Sequence, residues 1–152
     1  IKFILDGGKC DIGLESTIIN LTSKPTILRL GGLAISKIEK VLGKKIDVNI
    51  NLKKIISSGQ SQLHYSPGVP VKTNVKKSKK NEAFLLIKKR RITLNNYFYL
   101  SKKNNLNEVA KNLYSCLRIV KNAGYKLIVV EKIPNKGVGK VINDRLNRAS
   151  KF

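Results

Sequence analysis

The chain has 152 residues, of which 31 are basic and 9 acidic, so its formal net charge is +22. Its mean hydropathy of −0.18 and its hydrophobic content of 41% are typical of a globular protein and exclude a disordered tail. The lack of a signal peptide, of a long apolar run and of more than two cysteines excludes a secreted disulfide scaffold and a membrane-spanning protein, so we expect a cytoplasmic location.

Short strands are predicted near the start of the chain. Residues 2–5 form an apolar run that stops at Asp6-Gly7-Gly8, which predicts a strand followed by a turn. The β-branched runs at residues 16–21 and 26–30 are separated by a turn-forming segment that contains Pro25, and they predict a hairpin.

A helix is predicted over residues 34–42, because Ile35, Ile38, Val41 and Leu42 fall on one helical face and Gly43 can end the helix. Residues 45–50 predict a further strand. Residues 1–51 would thus form a first unit. Residues 52–81, rich in Ser, Pro, Gly and Lys, are predicted to be a linker, and a linker of this length is usually functional or disordered.

Residues 82–152 predict a small α/β domain. Strands are expected at residues 83–87 and 97–100, and the continuous apolar run at residues 126–130 is typical of a buried parallel strand. Helices are expected at residues 107–122 and 139–149. The order β-β-α-β-α predicts a parallel sheet with a right-handed crossover.

Several side chains stand out as candidates for anion binding. Ser16 and Thr17 follow a glycine-containing loop, where hydroxyl groups can bind phosphate or carboxylate or can simply form a turn. Arg29 is the first arginine in a lysine-rich chain and lies in an apolar strand. Arginine can bind phosphate oxygens with two parallel hydrogen bonds, although a strand arginine can also point to solvent.

For two further motifs, an ordinary structural role or simple exposure is favoured over a functional site. His64, the sole histidine, is followed by Tyr65 in the predicted linker, and it could carry a proton or simply be exposed. In Asn143-Asp144-Arg145, Asp144 is four residues before Arg148, which predicts an ordinary surface salt bridge. The sequence has neither a metal-ligating cluster nor a nucleotide-binding glycine motif.

The basic charge has two interpretations. The chain has 25 Lys and 6 Arg, with 18 Ile and 15 Asn, and Lys, Ile and Asn are favoured by A/T-rich codons. The charge can therefore reflect codon usage at solvated positions. It can also indicate a basic module that binds RNA or a nucleotide without catalysis, and we keep this as the alternative function.

Five motifs taken together resemble the threonylcarbamoyl-AMP synthase family in its two-domain form, with a YrdC-like catalytic domain, a linker and a Rossmann-like C-terminal domain. They are DGG at 6–8, GLESTII at 13–19, PTILRLGG at 25–32, HYSPGVPV at 64–71 and GVGKVINDRLNRAS at 137–150. The resemblance implies an α/β fold made of an incomplete YrdC-like remnant at 1–51, a linker or lid at 52–81 and a small Rossmann-like domain at 82–152.

The resemblance also implies an activity. Members of this family are nucleotidyltransferases that convert L-threonine, bicarbonate and ATP, usually with Mg²⁺, into threonylcarbamoyl-AMP and pyrophosphate. A partner transferase then modifies adenosine 37 of tRNA, so tRNA is an indirect partner. By this resemblance Ser16 and Thr17 line the substrate and phosphate site, Arg29 reaches the nucleotide phosphates, and His64 and Tyr65 belong to a loop over the site. No residue is assigned a catalytic role.

The sequence departs from the family pattern at several positions. Asn20, Leu30 and Ser66 stand where the family commonly has Asp, Pro and Ala. The family's N-terminal catalytic segment would precede Ile1, and the chain contains no methionine. We therefore expect a C-terminal fragment that is inactive alone.

Overall fold

The computed structural model describes residues 1–8, 10–50, 55–59 and 65–151. The elements in chain order are β1 (Ile18–Asn20), β2 (Thr26–Arg29), α1 (Ile35–Leu42), β3 (Asp47–Val48), β4 (Val71–Lys72), β5 (Ala83–Leu86), β6 (Tyr97–Tyr99), α2 (Leu106–Asn122), β7 (Ile128–Val130) and α3 (Val138–Ala149). Among these residues, no helix combines the length and the apolar character that a bilayer crossing requires.

The first sheet has the order β1-β2-β3. β1 and β2 form the predicted antiparallel hairpin, and β3 pairs with β2 in parallel after the chain returns through α1. Gly43 ends α1 in the left-handed conformation, with a φ of 64°, as glycine at this position allows. The predictions of a hairpin, a helix and a third strand in this part are confirmed.

Two predictions about the first unit are wrong. Residues 2–5 are not a strand; Ile1, Phe3, Ile4 and Leu5 are exposed, and nothing in the described residues pairs with their backbone. Val41 is 88% exposed rather than inward. At 3.6 residues per turn, Val41 lies about 120° around the helix axis from Ile35, outside the narrow stripe that an eight-residue helix buries here.

The second sheet is parallel throughout, in the order β4-β7-β5-β6. Its three longer strands and both helices occur where the sequence predicts them. β4 lies inside the segment that we predicted to be a linker, so residues 71–72 are an edge strand of the sheet. The prediction missed β4 because two residues after a proline are too short for any periodic pattern.

Both helices of this half pack on the same face of the second sheet. The cluster on this face joins Leu85, Ile128 and Val130 to the inward residues of α2 and α3, whereas Phe84, Leu86 and Val129 on the opposite face pack against tyrosines 97 and 99 and against Val75. Successive side chains of β5 point to opposite faces of the sheet, so they fall alternately in the two clusters. The fold class is mixed α/β, as predicted.

Helix α3 joins the two halves of the molecule. Ile142 and Leu146 belong to the core of the second sheet, and Val141 belongs to the cluster that also contains Ile27 of β2 and Ile38 of α1. Consecutive positions on a helix point about 100° apart, so one helix can contact two cores. This position brings the polar side chains of α3 to the end of the hairpin.

Candidate functional site

Arg29 and Ser16 lie together at the open end of the hairpin. The Arg29 Nε donates to the Ser16 carbonyl oxygen at 3.0 Å, and an Nη donates to the Ser16 hydroxyl at 3.1 Å. The other Nη donates to the Ser58 hydroxyl at 3.1 Å. Arg29 is half-buried and Ser16 is exposed, so the guanidinium is oriented by neutral oxygen atoms at the protein surface.

The double glycine after β2 allows this arrangement. A Cβ on Gly31 would lie 2.2 Å from the backbone nitrogen of Thr17, and the Gly32 amide donates to the Glu15 carbonyl oxygen at 2.9 Å. The backbone of Gly31 therefore lies directly against the Ser16–Thr17 peptide. Any side chain at position 31 would push Ser16 away from Arg29.

Tyr65 lies beside the same arginine, with Gly59 between them. A Cβ on Gly59 would be 2.9 Å from both the Arg29 Cδ and the Tyr65 hydroxyl oxygen. Tyr65 has a φ of 66°, in the left-handed region that bulky residues seldom adopt, which stores backbone strain at this position. Its ring stacks on Tyr114 of α2, with 5.6 Å between the ring centroids.

The remaining predicted site residues are placed differently. The Thr17 hydroxyl donates to the Leu33 carbonyl oxygen at 2.8 Å, so it holds the chain after β2. His64 lies outside the described residues. Of the five predicted site residues, the structure brings Ser16, Arg29 and Tyr65 together.

A second arginine, Arg145 of α3, lies behind this group. Its side chain is 1% exposed, and its Nε donates to Glu15 Oε2 at 3.1 Å. One Nη forms an ion pair with Asp144, and the other donates to the Leu30 carbonyl oxygen at 2.6 Å. The Arg145 Cζ also lies 4.7 Å from the centroid of the Tyr65 ring. Unlike Arg29, this guanidinium is neutralised by carboxylates.

The charges around Arg145 favour the ionised form of each partner. Burial acts to raise the pKa of Glu15, but a backbone hydrogen bond, Arg145 and Tyr65 together hold it below its ordinary value. Burial acts to lower the pKa of Arg145, and Glu15, two tyrosines and Asp144 more than compensate for it. Burial is also the main cause of the raised pKa of Tyr65. Glu15 and Arg145 therefore form a charged pair at neutral pH.

The prediction of a surface salt bridge between Asp144 and Arg148 is wrong. The pair exists, with Arg148 Nε 3.2 Å from Asp144 Oδ1, but the two side chains are only 8% and 11% exposed. Another Arg148 nitrogen donates to the Ile50 carbonyl oxygen at 3.0 Å, and Asn143 donates to the Ile133 carbonyl oxygen. The motif is buried because α3 lies between the two halves of the molecule.

Glu15 and Arg145 lie in two motifs of the sequence, GLESTII and Asn143-Asp144-Arg145, but the sequence assigns neither side chain to the site. Arg29 was singled out because an arginine is informative in a lysine-rich chain, and the same reasoning applied to Arg145 would have found it. Glu15 carries no signal of its own, because its partner is 130 positions away.

A cavity of about 570 Å³ borders this charged pair. Glu15 and Tyr114 line it together with Lys111 and Arg118 of α2. Within the described residues, no three His, Cys, Asp or Glu side chains are grouped closely enough to hold a metal ion. The site therefore offers fixed positive charge and hydroxyl groups.

Comparison with protein families gives one match. The family model described as threonylcarbamoyl-AMP synthase, C-terminal domain, matches residues 33–151. The match runs from before α1 to the residues after α3, and includes the motif of α3.

Curated relatives carry the same name. The chain is 30% identical to threonylcarbamoyl-AMP synthase of Pyrococcus abyssi over its full length and 29% identical to that of Bacillus subtilis over 99% of its length. It spans about half the length of each relative, at 50% and 49%. These matches do not favour the alternative of a basic module without catalysis.

Solved structures agree with the sequence comparisons. The crystal structure of P. abyssi Sua5 complexed with L-threonine matches 95% of this chain with a TM-score of 0.80 and 29% identity, and the match covers 48% of that chain. A Sua5 variant of the same organism, in which a consecutive histidine and tyrosine are replaced by alanine, matches with a TM-score of 0.75 and 28% identity, and the match covers 47% of that chain.

Proposed function

The chain belongs to the family of threonylcarbamoyl-AMP synthase C-terminal domains, and we propose that it works as part of an L-threonylcarbamoyladenylate synthase. In this reaction the amine of L-threonine and bicarbonate condense to a carbamate with loss of water. A carbamate oxygen then attacks the α-phosphorus of ATP, the bond to pyrophosphate breaks, and threonylcarbamoyl-AMP forms. The reaction gathers anions in one place, so it requires fixed positive charge more than a covalent nucleophile.

This proposal rests on one observation, the neutral hydrogen-bond partners of the Arg29 guanidinium. Its described partners, Ser16 and Ser58, are neutral, so they orient the guanidinium without cancelling its charge. A pre-oriented guanidinium at the surface suits phosphate oxygens, which it binds with paired hydrogen bonds. We assign Arg29 to the ATP phosphates and Ser16 to the same phosphate site. Thr17 supports that site through its bond to Leu33.

His64 and Tyr65 belong, in this proposal, to a loop that covers the site. Tyr65 lies beside Arg29 across Gly59, which supports this assignment. The second Sua5 structure replaces a histidine and the tyrosine that follows it, which are the same two residue types in the same order as His64-Tyr65. Covering the site would exclude water from a mixed anhydride that hydrolyses readily.

The substrates follow from the family and from one solved structure. L-threonine is bound by the P. abyssi protein, and we extend this to the enzyme that contains the present chain. No group of three His, Cys, Asp or Glu side chains that could hold a metal ion occurs among the described residues. Since Mg²⁺ is commonly held by substrate phosphates, we propose that it enters as MgATP. Bicarbonate is the third substrate, and tRNA receives the product group through a separate transferase.

Titration of the chain with MgATP tests the assignment of Arg29. We expect Arg29→Ala to weaken binding at least tenfold in isothermal titration calorimetry, because a charged hydrogen-bonding group is worth about 1.5–3 kcal/mol. Arg91→Ala, which removes the same charge at an exposed position in the loop after β5, should change binding less than twofold. Equal binding by the two variants would remove Arg29 from the nucleotide site.

An exchange of halves tests the activity. The chain is fused in place of the matching half of the P. abyssi relative, and pyrophosphate release is measured with and without L-threonine and bicarbonate. We expect release that depends on both compounds and is lost with Arg29→Ala. A folded, monodisperse fusion that releases no pyrophosphate would contradict the proposed function.

A further inference from the structure

Arg145 contacts three separate segments, and each of them carries a residue of the proposed nucleotide site. Glu15, which it binds through Nε, directly precedes Ser16. Leu30, whose carbonyl oxygen it binds at 2.6 Å, directly follows Arg29. The third contact is with the ring of Tyr65 itself, at 4.7 Å from the centroid. One side chain thus contacts the neighbour of Ser16, the neighbour of Arg29 and Tyr65 itself.

These contacts add to those within the hairpin, where the Gly32 amide donates to the Glu15 carbonyl oxygen at 2.9 Å. Ser16 precedes β1 and Leu30 follows β2, so both lie just beyond the paired residues of the two strands. The segment that contains Tyr65 is far from both in sequence. Arg145 comes from α3, which is fixed in the core of the second sheet through Ile142 and Leu146.

We propose that Arg145 is a positioning residue that sets the distance between Arg29, Ser16 and Tyr65 from the rigid second half of the molecule. The inference rests on the proposed function, since it takes these three residues as the nucleotide site. A planar guanidinium is suited to this task, because it can serve a carboxylate, a carbonyl oxygen and a ring face at the same time. A lysine ammonium can serve at most some of these partners.

Hydrogen–deuterium exchange of the 152-residue chain without ligand tests the inference directly. In Arg145→Gln we expect amides of residues 15–17, 29–32 and 65–66 to exchange at least tenfold faster, while amides of β5, β7 and α2 keep their rates. Arg145→Lys should give an intermediate increase in the exchange rates, because lysine keeps the positive charge beside Glu15 but lacks the planar guanidinium group that binds several partners. Arg91→Gln is the control for loss of a surface charge, and should leave all rates unchanged.

The pattern of exchange decides between positioning and general stability. Two results would overturn the inference. The first is faster exchange throughout the chain in both Arg145 variants, and the second is unchanged exchange in all three segments that Arg145 contacts. The MgATP titration is then repeated on Arg145→Lys, for which we expect at least threefold weaker binding. If Arg29→Ala does not affect MgATP binding, the proposed function fails, and the exchange pattern still decides whether Arg145 holds these segments.

Discussion

The two arginines of the site illustrate how the neighbours of a side chain determine what it can do. Arg29 faces neutral serine oxygens and keeps its charge available, whereas Arg145 is buried and matched by Glu15 and Asp144. A buried guanidinium without such partners would be strongly unfavourable, so removing one partner is costly. The same residue type is thus proposed for binding at one position and serves structure at the other.

Glu15 makes this stabilisation depend on pH. Since its native pKa is below the ordinary value of 4.5, its contribution is complete above that pH and is lost as the pH falls through the lowered native pKa. At pH 7 we expect Glu15→Gln to lower the free energy of unfolding by about 1–3 kcal/mol.

Urea unfolding at a series of pH values measures this effect. The difference between the natural chain and Glu15→Gln should shrink below about pH 4.5, because the natural carboxylate then becomes protonated. Comparison with the variant cancels the contributions of other acidic groups. A difference that stays constant down to strongly acidic pH would mean that Glu15 does not form the charged pair.

At the scale of elements, the sequence predicts structure well wherever a pattern is long or local. α2 has a clear apolar face and an N-terminal Asn105 whose side chain accepts from two backbone amides, and its predicted start differs from the observed one by one residue. β4 is too short to show a pattern. The exposed run at residues 2–5 shows a strand pattern, but none of the described strands pairs with it. Strand formation depends on pairing that local sequence does not encode.

The candidate site, too, is predictable from the sequence only where its contacts are local. Ser16 and Arg29 are brought together by a hairpin that local sequence predicts. The Arg145 contacts with Glu15 and Leu30 join residues more than a hundred positions apart, and no periodicity reports such a contact. The close approach at Gly31 likewise becomes visible only when the two segments are placed side by side.

Gly31 gives a test at the level of the hairpin. Gly31→Ala places a Cβ 2.2 Å from backbone atoms of Ser16 and Thr17, so the strands must separate. We expect a loss of about 3 kcal/mol in the free energy of unfolding, measured by urea denaturation, and weaker MgATP binding. Gly7→Ala, with nothing within 4 Å of the added Cβ, is the matched control and should change stability by less than about 0.5 kcal/mol. Equal stability of the two variants would contradict the close approach.

At the scale of the whole molecule, α3 couples two cores through neighbouring side chains. Val141 packs with the first unit and Ile142 with the second sheet, so a change on either side of the helix affects a different half. The proposed boundaries at residues 51 and 81 therefore separate units that share one helix. We expect local opening of each half to respond to the side of α3 that it contacts.

Truncation of these adjacent side chains tests the coupling. Val141→Ala should lower the stability of the first unit by about 1–2 kcal/mol, and Ile142→Ala should lower that of the second sheet by about 2–5 kcal/mol. Amide exchange followed by nuclear magnetic resonance resolves the two halves. If both variants accelerate exchange in β5 and β7 to the same degree, Val141 is not a separate contact to the first unit.

The long separation in sequence between Glu15 and Arg145 has a consequence for folding during synthesis on the ribosome. A ribosome adds Glu15 130 residues before it adds Arg145, so the nascent hairpin lacks its partner guanidinium while those residues are synthesised. Domains usually fold in the order in which they are synthesised. Here the hairpin acquires its final geometry only after α3 has emerged.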